Sequence, residues 1–374
     1  MPKARQQIGG SKRKAKGKST FSLKRWLPKT RGPWASLAPG IRDAIERSWG
    51  SGVPPISLAL YGRWWQLETW LRSLVYVELR AAKGAGWFGT LRSDLVERQQ
   101  NDEAFRYMAT PDAQATLAYA DAADLFRIVE SNWKLFEPSL VAHSVWTGNT
   151  VQLLNIRNRI GHCRRPHSDD LSRLQQTLRD LESGAMTAVS TFNRQYDPKE
   201  DWSDPVVGGW IRREHDDAIR LLDHAARQYG TRFQLKWSLR PWSVKANSEK
   251  TISGTPGYVW HANWFFGGDR AFNIRRFWED SYLQRIKDSM LFACVSIPPS
   301  SLEVSFPAVD DPKVIADAIG ACFDAALMSL RIGTTMDISW DQWRELGEDL
   351  DPRIQMGTPW SMIGDGDRVR IFSA

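Results

Sequence analysis

The chain has 374 residues, 42% hydrophobic and 25% charged, the make-up of a globular protein long enough for two cores and not of a collagen-like or low-complexity chain. The net charge of +7 comes from one end: residues 1–42 hold twelve Lys/Arg and no Asp/Glu, so the remainder is net acidic. Cys163, Cys294 and Cys322 are too scattered for a zinc site or a disulfide framework, and no apolar run suits a signal peptide or a membrane span, so a soluble cytoplasmic protein without a membrane partner is expected.

Residues 1–45 read as a basic disordered arm and linker, with Gly9–Lys18 rich in Gly, Ser and Lys. Such an arm serves either as a sequence-blind contact for nucleic acid phosphates or as a solubilising tail. The Pro/Gly/Ser-rich stretch Trp34–Pro55 holds one short helix at Ile41–Ser48. From 50 to 195 the pattern is helical. Trp64, Leu67, Leu71, Leu74, Val75 and Leu79 recur at three and four residues, one buried stripe, and Gly84 with Gly86 ends that helix. Thr110-Pro111 opens a second helix that runs through Leu117, Leu125, Ile128 and Val129 and stops before Pro138. A third covers about Val145–Ile160. A fourth starts near Ser168-Asp169-Asp170, with its stripe at Leu171, Leu174, Leu178 and Leu181, and Ser183-Gly184 closes or interrupts it. The expected result is an all-α bundle of four or five helices.

An α+β domain is expected over 205–374, making the whole chain a mixed fold. Arg212–Gln228 reads as helix and places His215 and His224 on it as structural histidines. In Thr231–Arg240, Phe233, Leu235, Trp237 and Leu239 alternate with polar residues, as in a half-buried strand. Tyr258–Phe266 and Leu302–Phe306 are further strands, Pro312–Leu330 is an Ala-rich helix, and Arg368–Ser373 a last strand. Alternation puts Trp260, Ala262 and Trp264 on one face, read as core, and His261 and Asn263 on the other. His143 is read as a loop residue.

The segment with the clearest chemistry runs from Asn155 to His167. Leu153, Leu154 and Ile160 mark the inner face of its helix, and Arg157 stands where an apolar residue is expected. Its guanidinium requires a carboxylate, a bound anion or a solvent-filled groove. Gly161 and Pro166 suggest a helix end. A break there would let His162 turn back toward Arg157, whereas an unbroken helix sets the two roughly 140° apart about its axis. Histidine can move a proton near neutral pH, and a fixed cation stabilises a phosphorane, so the pair suits RNA transesterification. Arg159, Arg164 and Arg165 add charge for RNA binding. No metal-ligand spacing and no cofactor motif stand out. The alternatives are an ion pair of Arg157 with Glu68 or Asp124 and a helix-terminal His162 bonded to backbone. Glu68 and Arg72, four apart, line the same cleft or form a surface pair.

Arg157-Asn158-Arg159-Ile160-Gly161-His162 resembles the R-N-x-x-x-H motif of HEPN ribonucleases, and the stretch Gln66–Val75 resembles the first helix of that family, over about residues 55–190 in all. The resemblance implies a metal-independent endoribonuclease in which Arg157 and His162 are catalytic and Asn158 supports them. It further implies a homodimer with a composite cleft, an RNA substrate such as tRNA, products with a 2′,3′-cyclic phosphate and a 5′-hydroxyl, and no cofactor. By the same analogy the chain is a toxin or antiviral-defence effector in abortive infection, held in check by its C-terminal domain, an antitoxin or an invader-derived trigger. The rival readings are a non-catalytic RNA- or nucleotide-binding module and a helical dimerisation protein.

Overall fold

The computed structural model describes residues 39–50, 52–91, 93–105, 116–244, 251–267, 270–296, 299–332, 350–357, 359–364 and 370–372. The basic arm and Thr110-Pro111 lie outside them. Contacts divide the chain into two compact units, Met1–Pro55 and Ile56–Ala374. In the first, the described residues form helix α1, Pro39–Gly50, close to the short helix expected there.

The second unit holds both the helical region and the sheet. Helix α2, Pro55–Lys83, buries all six residues of its expected stripe and ends where Gly84 takes a left-handed φ of 58°. Its residues 77–81 are buried without interruption, Glu78 and Arg80 included, because the sheet covers what the helices leave open. After α3, Ser93–Glu103, the single helix expected through Leu117 and Val129 is broken into pieces. Asp121 caps α4, Ala122–Ser131, through a reciprocal box with Asp124, and α5 is one turn, Trp133–Phe136. Next comes α6, His143–Gly161, and His143 is its first residue rather than part of a loop. Helix α7, Asp170–Asn193, runs through Gly184 instead of stopping there. A Cβ at Gly184 would lie 2.4 Å from the carbonyl oxygen of Ser139, so this glycine serves close packing against the Glu137–Ser139 turn.

Helices α8, Pro205–Trp210, and α9, Ala218–Tyr229, lead into the sheet. His215 precedes α9, stacks on Trp210 and bonds Asp317, so it shares no helix with His224, and its structural reading stands. Strands β1 (Arg232–Leu239), β2 (Tyr258–Phe265), β4 (Phe292–Val295), β5 (Ser301–Pro307) and β7 (Ile354–Met356) form one sheet in the order β1-β2-β5-β4-β7. Its pairs are antiparallel except β4 with β7. Strands β3 (Arg270–Phe272) and β6 (Leu330–Ile332) form a separate pair. Between them lie short helices α10, Ile274–Trp278, and α11, Leu283–Ile286, and the long α12, Pro312–Met328, capped by Asp311 with Pro312 in its first turn. The described part of the expected last strand, Arg370–Phe372, is irregular, and Phe372 packs edge-on against Trp70.

The sheet divides two cores. On one face Trp260, Ala262 and Trp264 meet α8, α9 and α12, all three fully buried, so the aromatic stripe is core. On the other face Val259, Phe292 and Cys294 join the helical core of α2, α4, α6 and α7. The molecule is therefore mixed in class, and its helical half is completed by one face of the sheet.

Candidate functional site

The segment from Asn155 to His167 forms the end of α6 and its connection to α7. Helix α6 is unbroken through Gly161, and the backbone N–H of His162 still bonds the carbonyls of Asn158 and Ile160. The turn closes in a Schellman arrangement: the Cys163 N–H reaches Ile160 O at 3.1 Å and the Arg164 N–H reaches Arg159 O at 2.8 Å. Cys163 occupies the left-handed position at φ 51°, where a side chain costs on the order of 1–2 kcal/mol. Helix α6 ends at Gly161, where the sequence suggested an end, but the His162 N–H still closes on the last turn and no contact between Arg157 and His162 is present among the described residues. Within one chain the two residues stay about 140° apart around the axis.

Neither carboxylate considered for Arg157 is available to it. Glu68 pairs with Arg72 at 2.8 Å and accepts from Trp64 Nε1 at 2.7 Å, while Asp124 takes Arg98 and Arg127 at 2.8 and 2.7 Å. Burial raises the Asp124 carboxyl, but the Arg98 hydrogen bond, the Asp121 N–H and the two guanidinium charges hold it below its ordinary range. Glu68 and Arg72 thus form the i,i+4 pair that their spacing suggested, part-buried on α2. Arg157 has no carboxylate within ion-pair reach among the described residues, and its guanidinium donates to Asn158 Oδ1 at 3.4 Å. Asn158 and His162 are four apart and share an exposed helix face with Val151 and Asn155. The hydrogen bond therefore draws the Arg157 head toward the face that carries His162. His162, Arg164 and Arg165 are exposed, and the side chains of all three are without a hydrogen-bond partner among the described residues.

Arg159 has a different part. It grips Asp170 with two hydrogen bonds, 2.7 Å from Nε and 2.5 Å from an Nη nitrogen, and the His167 backbone N–H adds a third at 2.9 Å. The Asp170 side chain is 2% exposed. Burial raises its carboxyl, yet the Arg159 and His167 hydrogen bonds and the Arg159 charge bring it below its usual value. This bidentate pair fixes the end of α6 to the start of α7 and so positions the connecting loop. Its guanidinium is held by a carboxylate, unlike that of Arg157, which has only the Asn158 amide oxygen, and unlike those of Arg164 and Arg165.

His167, Asp169 and Asp170 place three potential metal ligands within 4.8 Å of one another. Arg159 already neutralises Asp170 and Arg173 already neutralises Asp169, so the cluster presents little net negative charge to a cation.

The sequence reading passed over a second constellation on the helical side of the sheet. Ser238 Oγ lies 2.7 Å from His261 Nε2, and His261 Nδ1 lies 3.0 Å from Glu303 Oε1 and 2.9 Å from Ser305 Oγ. The order Ser–His–carboxylate is that of a nucleophilic relay. Ser238 and His261, however, are completely buried and Phe192 of α7 sits edge-on to the imidazole, so a substrate has no approach. The network satisfies buried polar groups across β1, β2 and β5 and pins their register. Its signal in the sequence was alternation: Ser238, His261 and Glu303 each fall opposite to the apolar face of their strands. Comparison of the chain with protein-family models, with curated proteins and with solved structures gave no match in any of the three.

Proposed function

We propose that the end of α6 is the cleavage site of a metal-independent endoribonuclease. The observation that carries this reading is the state of Arg157: a part-buried guanidinium with no carboxylate among the described residues, bonded to Asn158 beside the exposed His162. In the reaction a base takes the proton of the 2′-hydroxyl, the 2′-oxygen attacks phosphorus, and the 5′-oxygen leaves with a proton from an acid. Imidazole performs either proton transfer near neutral pH, and a guanidinium stabilises the extra negative charge on the pentacoordinate phosphate. The products are a 2′,3′-cyclic phosphate and a 5′-hydroxyl.

With about 140° between Arg157 and His162 in one chain, the reading assigns the working pair to two chains, Arg157 of one facing His162 of another across their exposed α6 faces. Arg164 and Arg165 then flank the cleft and contact phosphates of the strand. The sheet half is the place for control by a trigger or an antitoxin, in a toxin or defence role.

The test is incubation of full-length protein and of its His162→Ala and Arg157→Ala variants with total RNA and a tRNA pool in excess EDTA, followed by end-group analysis. Cleavage by wild type alone, leaving cyclic phosphate ends, is the expected outcome, with a loss of at least about a hundredfold for His162→Ala. Equal cleavage by wild type and His162→Ala would sink the reading. Binding of RNA that is weakened by Arg157→Ala and left intact by His162→Ala, without cleavage, would replace it with a binding module. Mixing the two inactive variants tests the shared cleft, because a heterodimer keeps one intact Arg157–His162 pair and regains activity.

A further inference from the structure

We propose that the seam between α2 and α7 at Trp70 and Glu182 is a peptide-recognition site. The chain's own segment Arg370–Phe372 closes it as a removable strap, and a protein partner enters it with a branched aliphatic residue followed by Phe. The inference does not depend on the cleavage reading. The strap is irregular, and no backbone–backbone hydrogen bond joins Ile371 or Phe372 to the other described residues. Two side chains hold its main chain instead. Glu182 of α7 accepts the N–H of Ile371 through Oε1 and the N–H of Phe372 through Oε2, the second at 3.3 Å. Arg63 of α2 donates to the Phe372 carbonyl at 2.9 Å. The Phe372 ring packs edge-on against Trp70 with centroids 5.3 Å apart, and the residue is 1% exposed. Ile371 is half-buried against the helical core, and Arg370 is exposed.

Charged groups spent on main chain set this contact apart from ordinary packing. Neither Glu182 nor Arg63 forms an ion pair among the described residues; the carboxylate meets two N–H groups and the guanidinium one carbonyl of the same dipeptide. Arg63 Nη1 also donates to Gln66 Oε1 at 2.9 Å, a bond within α2 that orients the guanidinium without the strap. Contacts to main chain accept any sequence, and the apolar pocket supplies the selectivity, as peptide-binding sites divide the task in general. The strap is also an imperfect occupant. Trp70, which walls the pocket and is 8% exposed, keeps its indole N–H without a hydrogen-bond partner, and buried donors are normally satisfied. Release need not disturb the chain before the strap, because Asn193 near the end of α7 holds the Ile363 carbonyl at 2.6 Å.

The experiment uses the full chain, as wild type and as Phe372→Ala, and a fluorescein-labelled peptide with the sequence of residues 368–374, with binding followed by anisotropy. A site closed by its own strap binds an outside segment more weakly, in proportion to the fraction of time it stands open. Phe372→Ala is therefore expected to bind the peptide on the order of tenfold tighter than wild type, and wild type to bind it at correspondingly higher concentration. A peptide with Ala at the Phe position is expected to lose at least about tenfold, and so is the Phe372→Ala chain that also carries Glu182→Gln, whose amide sets a donor against incoming N–H groups. No binding to wild type at the higher concentration, equal affinity of the two proteins, or affinity indifferent to the peptide's Phe or to Glu182 would each overturn the site. Amide hydrogen exchange of wild type needs no variant to fold. Ile371 and Phe372 are expected to exchange at least about a hundredfold faster than Leu71 and Leu74 in the buried stripe of α2. Exchange at the rate of that stripe would show that the segment leaves only when the helical core unfolds, and would overturn the strap.

Discussion

Removing one partner of the Glu78–Arg240 pair is expected to be among the most damaging single changes to this protein. Both side chains are 0% exposed, and the guanidinium meets the carboxylate twice, Nε to Oε2 at 3.0 Å and an Nη nitrogen to Oε1 at 2.6 Å. Arg240 also donates to the Ala188 carbonyl at 3.0 Å and lies over the rings of Phe192 and Trp360. Glu78 accepts from Trp242 Nε1 at 2.7 Å. Glu78→Leu leaves a guanidinium buried without its counter-ion, and Arg240→Met leaves a buried carboxylate, each costing about 3–5 kcal/mol. The double variant strands no charge. It loses only the neutral partners Trp242 Nε1 and Ala188 O, at about 1–3 kcal/mol each. Urea unfolding followed by tryptophan fluorescence, for wild type, both singles and the double, measures the cycle. The double variant is expected to be no less stable than either single, although it carries both changes. Singles that cost under 1 kcal/mol, or a double equal to their sum, would show that the pair is not the buried, coupled unit described here.

Glycine substitutions of opposite sign test the packing of the helices. Alanine is favoured over glycine inside a helix by about 1 kcal/mol, and Gly148 of α6 has nothing within 4 Å of an added Cβ, so Gly148→Ala is expected to raise the unfolding midpoint. Gly184→Ala drives a methyl into the Ser139 carbonyl and is expected to cost about 1–3 kcal/mol net; a stabilised Gly184→Ala would refute the close approach of α7 to that turn. The acid side of the stability curve follows from Asp124 and Asp170. In each case burial, the largest single influence, raises the carboxyl, and the guanidinium and backbone hydrogen bonds together with the arginine charges outweigh it, leaving a folded-state pKa below the unfolded one. Their contribution is fully present above the unfolded value, about pH 4, and is lost as pH falls through the folded value. Urea midpoints are expected to fall below about pH 4, and Asp170→Asn should show a lower midpoint at pH 7 with a shallower acid decline. An acid decline identical to that of wild type would remove Asp170 from the account.

The elements most readable in the sequence were those with a one-sided environment. The stripe Trp64–Leu79 and the alternation of Phe233, Leu235, Trp237 and Leu239 each report one apolar face, and both appear as α2 and β1 close to where periodicity places them. Strand β4 was missed because it is buried on both faces: Phe292, Ala293, Cys294 and Val295 form an apolar run with no period, which a buried helix shares. Gly184 was read as closing or interrupting the helix because its reason for being glycine, the Ser139 backbone, comes from more than forty residues earlier in the chain. At the candidate site, local pattern located the end of α6 and the odd placement of Arg157. It could not assign Arg159 to Asp170 rather than to a ligand, because both groups look equally free until the α6–α7 turn brings them together. The relay of Ser238, His261 and Glu303 joins three strands and has no local spacing at all.

The division of labour expected between a helical nuclease unit and a separate α+β unit meets a physical obstacle in the core. Helix α7 begins at Asp170, which fixes the loop carrying His162, and ends with Phe192 packed against His261, Phe292 and Trp360 of the other half. Helix α2 sends Glu78 to Arg240 and Arg80 to Asp310, ion pairs that cross the same boundary with almost no exposure on the α2 side. A fragment ending at residue 195 would therefore expose Phe192, Val189 and the last turns of α2, and strand Glu78 and Arg80 in an apolar surface. It is expected to bind a hydrophobic dye such as ANS and to unfold without a cooperative transition. A fragment that unfolded cooperatively and bound no dye would show that the sheet face is dispensable to the helical core. On the packing described, control of the α6 site by the sheet half has to be sought in the intact chain, where α7 touches both the loop of His162 and the sheet.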